Sequence, residues 1–202
     1  MAVSYITGAV EGILDEAVLR RLTLQFGIQC EPIYGKEGKG RLLRQLGAYN
    51  NAARFSPWCV LIDLDRDADC APSYLTSILP HPVPGMIVRV AVREVESWLL
   101  ADHRNISRFL GIRQASVPPR PDELDHPKRV VVDLARRSRY RNINIELVPR
   151  PNSGRSEGSA YTSRMIEFVN ERWDPNAAAE RSPSLARCLR ALDELRSTLT
   201  RE

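Results

Sequence analysis

Residues 59–62 read Cys-Val-Leu-Ile, and the next seven alternate aspartate with other residues: Asp63-Leu64-Asp65-Arg66-Asp67-Ala68-Asp69. No other stretch narrows the fold as much. A short apolar run that stops abruptly in polar residues has the pattern of a strand buried on both faces. Strands of that kind belong to parallel sheets covered by helices, and ligands of such sheets bind beyond the carboxyl ends of the strands. Here that end carries a row of carboxylates. Crowded carboxylates repel one another unless a cation lies among them, and closely spaced hard oxygens suit Mg²⁺.

The chain around this run alternates strand and helix patterns. Val3 to Val10 reads as a first strand, and Ile13 to Phe26 as a helix with Leu14, Val18, Leu19 and Leu22 on one face, stopped by Gly27. Ile28 to Tyr34 is a second strand. A loop, Gly35-Lys36-Glu37-Gly38-Lys39-Gly40, which its glycines make flexible, then leads to a helix from Arg41 to about Asn51. Trp58 to Asp63 is the third strand, Ser73 to Leu79 a short helix, and Met86 to Val92 the fourth strand. This rhythm predicts an α/β fold with a mainly parallel, Rossmann-like sheet flanked by helices.

After Val92 the pattern turns to helices and loops, a C-terminal helical extension. Helices are predicted near Glu94–Ala101, Ile106–Leu110, Lys128–Arg137 and Tyr161–Trp173, with loops over Ser116–Asp125 and Asn152–Gly158 and a late edge strand at Ile143–Val148. Asp174-Pro175 and Ser182-Pro183 each place a capping residue before a proline at the first helical position. The last helix carries a stripe of Leu185, Leu189, Leu192, Leu195 and Leu199. The expected division is a core over 1–102 and a helical, basic extension over 103–202 packed on it.

Composition sets the class. At 202 residues, 43% hydrophobic and 27% charged, the chain can bury a real core. It has no apolar run near the roughly 20 residues of a membrane span, and its first residues do not read as a secretory signal. Four cysteines without metal spacing indicate reduced thiols in a cytoplasmic protein. His81, His103 and His126 show neither metal nor triad spacing. Net charge is +4 but uneven: Arg104 to Arg155 holds 12 Arg/Lys against 5 Asp/Glu. Such a segment serves either as a solvated arginine-rich surface or as a binder of phosphate backbones.

If the first and third strands are neighbours, Glu11, Asp63 and Asp65 meet at one sheet edge. Asp63 and Asp65, two apart, lie on the same side of an extended chain, and Gly12 lets the backbone approach a ligand. Each of these residues has a plainer reading. Glu11 can be a helix-start carboxylate meeting the macrodipole. Asp67 and Asp69 suit a turn. Glu94 and Glu96 suit the start of a helix. Lys36 and Lys39 sit in a glycine loop that lacks the spacing and the Ser/Thr of a P-loop.

A strand ending in Val10-Glu11-Gly12 and leading to a helix, followed by an apolar strand ending in Asp63-Leu64-Asp65, resembles the Toprim domain. That domain is shared by topoisomerases, bacterial primases, recombination proteins and overcoming-lysogenization-defect nucleases. More narrowly, the chain resembles an uncharacterised bacterial Toprim-like family through Gly38-Lys39-Gly40, the segment Arg93-Glu94-Val95-Glu96-Ser97-Trp98-Leu99-Leu100-Ala101-Asp102, and Ser182-Pro183-Ser184. The resemblance implies a metal site of Glu11, Asp63 and Asp65 holding Mg²⁺ or Mn²⁺, with Asp67 for a second ion or a water. It implies acid/base work for Glu11 and a completing acid in Glu96, or else Glu94.

The expectation for function is a Mg²⁺-dependent nuclease, or a related phosphodiester phosphoryl-transfer enzyme, serving phage defence. Lys36 and Lys39 would reach a phosphate, and Arg129, Arg136, Arg137, Arg139 and Arg141 would bind a nucleic-acid backbone. The alternative is a non-catalytic Toprim-like subunit that binds nucleotide or nucleic acid beside a partner protein of a defence operon. A phosphatase of the haloacid-dehalogenase type would want its nucleophilic aspartate after the first strand, where this chain has Glu11.

Overall fold

The computed structural model describes residues 4–200. The chain divides into two compact units. One runs to Val92 and is joined by the chain from Ala186 onward; the other is Arg93–Leu185. The boundary therefore falls ten residues before the expected 102, and the last helix from Ala186 onward groups with the sheet unit rather than with the extension.

In the first unit, β1 (Ser4–Val10), β2 (Ile28–Gly35), β3 (Trp58–Asp63) and β4 (Met86–Ala91) form a parallel sheet in the order β2-β1-β3-β4. They alternate with α1 (Ile13–Gln25), α2 (Lys39–Ala52) and α3 (Ala71–Ile78). This is the α/β, Rossmann-like arrangement the alternation predicts. β3 is central, and every residue but its last, Asp63, is buried. On one face Ala9, Val60, Ile62, Val88 and Val90 pack with Leu42 and Leu46 of α2 and Tyr74 of α3. On the other face the close approach of Gly8 to Leu19 of α1 leaves no room for a side chain: a Cβ there would lie 2.7 Å from Cys30 Sγ. The final helix, α10 (Pro183–Leu199), brings buried Cys188 and Leu192 to this unit.

The order places the chain's reversal between β1 and β3. From β1 the chain crosses to β2 on one side, then returns past β1 to β3 on the other. Val10, the last residue of β1, pairs with Leu61, two residues before β3 ends at Asp63. A crevice at such a reversal is where open α/β sheets bind ligands.

The second unit is helical: α4 (Val95–Ala101), α5 (His103–Leu110), α6 (Pro127–Ala135), α7 (Arg141–Leu147), α8 (Tyr161–Glu171) and α9 (Pro175–Ala179), with single 3-10 turns at Gln114–Ser116 and Pro121–Glu123. Every residue of α4 is buried. Trp98 Nε1 donates to Ser184 Oγ at 2.6 Å, and Trp173 Nε1 donates to the Trp98 carbonyl at 3.3 Å. Asp122 accepts from Ser182 Oγ at 2.7 Å and from the Ser184 N–H at 3.0 Å. Asp174 caps α9 through the N–H groups of Asn176 and Ala177, and Ser182 Oγ accepts from Leu185 N–H, as the two capping signatures predict.

The expected strand at Ile143–Val148 is instead α7. Ile143 and Leu147, four apart, are buried, whereas Ile145 between them is 57% exposed. The Ile-Asn-Ile alternation mimics a strand, but the burial follows a helical face. None of the helices among the described residues is long and apolar enough to cross a membrane. The four cysteines are free thiols, three of them buried.

Candidate functional site

Glu11 follows β1 directly, and its Oε1 accepts the Asp63 N–H at 2.8 Å. The first acid of the sequence pattern is thus fixed against the backbone of the second, across the strand pair at the reversal. Gly12 is extended, with φ −143, so no backbone constraint demands glycine. The one close neighbour is a side-chain tip: a Cβ at Gly12 would come 2.9 Å from Asp15 Oδ2, which would have to shift. Asp15, buried in the first turn of α1, is a carboxyl that the strand-and-turn pattern passes over. Its only trace in the sequence is an acid four residues beyond Glu11.

The aspartate row does not stay extended. β3 ends at Asp63, the Leu64 N–H donates to the Ala91 carbonyl as a last rung, and Asp65 takes a left-handed φ of 49. Asp tolerates that region better than most residues. Asp65 and Asp67 are consequently brought together by a turn, closed by Asp67 N–H to the Leu64 carbonyl at 3.2 Å. Between them lies Lys39, whose Nζ is 2.6 Å from Asp65 Oδ2 and 2.8 Å from Asp67 Oδ2. Tyr74 donates its hydroxyl to the same Asp67 oxygen at 3.3 Å.

Lys39 owes its place to the glycine loop. Gly35 and Gly38 have φ of 88 and 87, conformations that glycine adopts at little cost. The loop is tied to the end of β1: Lys36 N–H donates to the Val10 carbonyl at 2.9 Å and Gly38 N–H to the Glu11 carbonyl at 3.0 Å. The loop expected to be flexible is thus anchored beside Glu11. Lys36 is directed elsewhere, to Glu16 Oε2 at 2.9 Å.

Burial pushes the Glu11 carboxyl up from its ordinary 4.5 to about 7. The Asp63 N–H and the Lys39 charge pull the other way, while Asp15 and Asp65 add to the rise. Burial alone would lower the Lys39 ammonium, but its hydrogen bonds to Asp65 and Asp67 and the Glu11 charge raise it. The Lys39 hydrogen bond holds Asp67 below the usual carboxylate range.

Glu96 belongs to the second unit. It is 2% exposed, accepts from the Tyr161 hydroxyl at 3.2 Å, and pairs with Lys128 Nζ at 3.5 Å. Glu94 Oε2 accepts the Lys128 N–H at 2.7 Å, at the start of α6. Of the expected basic surface, four arginines fall into two groups. Arg129 and Arg136 flank Asp133, at 4.0 and 3.4 Å, and line a cavity of about 700 Å³. Arg137 and Arg139 line another, of about 430 Å³. Arg141, at the start of α7, lines neither cavity.

Comparison of the chain with family profiles, with curated proteins and with solved structures returns no match. The test of a divalent cation rests on the donors themselves. Glu11, Asp63, Asp65 and Asp67 are hard oxygen donors of the kind Mg²⁺ and Mn²⁺ take, and the Lys39 ammonium already acts as a cation between two of them. In this arrangement no three His, Cys, Asp or Glu side chains among the described residues form a ready metal-holding group. In chemistry the donors suit such a cation, with Glu11, Asp63 and Asp65 the residues that would hold it, but Asp65 and Asp67 are turned onto Lys39 and the set is not gathered around one point.

Proposed function

We propose that the protein is a Mg²⁺- or Mn²⁺-dependent nuclease, or a related phosphodiester phosphoryl-transfer enzyme of the Toprim kind. One observation carries this reading: Glu11 accepting the Asp63 N–H at the strand reversal, with Asp65 and Asp67 holding the Lys39 ammonium beside them. Bound there, a divalent ion supplies charge neutralisation at a phosphate oxygen. The chain supplies the rest. Glu11, with its proton held to about pH 7, can give or take a proton near neutral pH. Lys39 brings an ammonium to the same edge to meet a phosphate.

Purified protein with Mg²⁺ or Mn²⁺ is expected to nick or degrade DNA or RNA, and Asp63→Ala is expected to remove that activity while the melting curve stays near that of the wild type. Equal cleavage by Asp63→Ala would refute the reading.

A second reading has its own support. Lys39 already bridges Asp65 and Asp67 at hydrogen-bond distance, which favours a metal-free, non-catalytic subunit binding nucleotide or nucleic acid beside a partner protein. It expects no turnover by the lone protein at any Mg²⁺ or Mn²⁺ concentration. Cleavage by the lone protein would exclude it.

A further inference from the structure

The second unit contains a pocket of about 430 Å³ walled by Arg108, Arg113, Arg137 and Arg139, and no acidic residue lines it. All four arginines are exposed. Among the described residues no carboxylate lies within ion-pair distance of any of them, unlike Arg129 and Arg136, which share Asp133.

The pocket is held in shape by backbone. Gly111 ends α5 with a left-handed φ of 67, and the ring of Tyr140 occupies the space a side chain there would need. The Gly111 carbonyl accepts the Arg139 N–H at 3.1 Å, which ties the segment after α6 to the end of α5. Arg139 is also oriented: Nη2 donates to the Tyr140 hydroxyl at 2.9 Å, and the guanidinium lies 5.0 Å from the centre of that ring.

Helix ends do not account for so much positive charge. The C-termini of α5 and α6 contribute Gly111 and Leu134 to the wall. Each helix end carries about half a negative elementary charge, so the two together offset about a quarter of four guanidiniums. Three positive charges remain facing one small concavity.

We infer that this pocket binds the polyphosphate group of a small anion such as a nucleoside triphosphate. Guanidinium groups bind phosphate oxygens bidentately, and the volume is that of a small-ligand site. A nucleic-acid strand spreads its charge at about one per 3.4 Å, whereas four arginines around one cavity match charge concentrated at a point. The inference is independent of the metal-dependent reading, since its residues and ligand are separate from Glu11, Asp63 and Asp65.

Isothermal titration calorimetry in EDTA tests it, with inorganic tripolyphosphate, ATP, AMP and the oligonucleotide dT12 as probes. Tripolyphosphate and ATP are expected to compete with each other and to bind about tenfold or more tighter than AMP, because each further charged hydrogen bond adds affinity. Arg113→Ala and Arg137→Ala are each expected to weaken ATP about tenfold, and Arg108→Glu with Arg137→Glu to abolish binding. Asp63→Ala is expected to bind ATP as the wild type does. ATP binding no tighter than AMP, or unchanged in the double variant, would overturn the inference. So would loss of ATP binding in Asp63→Ala, or dT12 binding through these arginines that ATP does not displace.

Discussion

The acidic edge of the sheet and the arginine pocket of the helical unit are opposites in charge and differ in how that charge is met within the chain. At the edge, Asp65 and Asp67 share Lys39, which is the better buried partner: its side chain is 16% exposed against 45% for Asp65 and 44% for Asp67. In the pocket four arginines share no acid. Elsewhere charges settle their accounts locally, as where Arg164 meets Glu146 and Glu167 or Arg196 meets Asp193. The contrast teaches where a ligand has something to contribute: on the readings proposed above, a cation would complete the first region and an anion the second.

Asp63→Ala breaks the comparison most sharply. It should take metal-dependent cleavage to background in a nuclease assay and leave calorimetric ATP binding untouched. Glu11→Gln keeps the Asp63 hydrogen bond but cannot carry charge. We expect it to slow cleavage by a factor on the order of 10²–10⁴ and to remove the limb of the pH–rate profile near 7.

Lys39→Met should destabilise the fold by about 1–3 kcal/mol, because two charge-assisted hydrogen bonds vanish and the acids repel. Mg²⁺ should restore part of the lost melting temperature. Arg137→Met, at the other region, should change stability by less than about 0.5 kcal/mol, as exposed substitutions do, and in the stabilising direction because like charges are thinned.

Acidity gives a further distinction. The folded chain holds the Glu11 proton more tightly than the unfolded chain, to about 7 instead of 4.5. The stability this gives is full below pH 4.5 and is lost as pH rises through about 7. Thermal melts of wild type and Glu11→Gln should therefore diverge between pH 5 and 8, with the wild type losing more. Parallel melting curves over that range would remove Glu11 from the account.

Much of this was legible in the chain. The central strand announces itself because a parallel sheet buries both of its faces, so the apolar run Cys59–Ile62 is continuous, whereas edge strand β2 alternates buried and exposed residues. The meeting of Glu11 and Asp63 followed once β1 and β3 were neighbours. What stayed hidden depends on contacts distant in sequence. Asp65 turns because Leu64 finds the carbonyl of Ala91, and Lys39 becomes a clamp because Gly38 is pinned to Glu11. α7 was misread because Ile143 and Ile145 look equivalent in sequence, and only packing separates them. Arg108 and Arg113 went unnoticed because nothing in their spacing places them opposite Arg137.

The pairing of Asp122 with Ser182 and Ser184 bears on how this protein can be dissected. The Ser-Pro-Ser stretch supplies hydroxyl and N–H groups to Asp122 and receives the Trp98 indole N–H. A gene fragment for the helical half that stopped at Arg181 would strand a tryptophan and a carboxylate without those partners. The shortest such fragment worth expressing runs through Ser184.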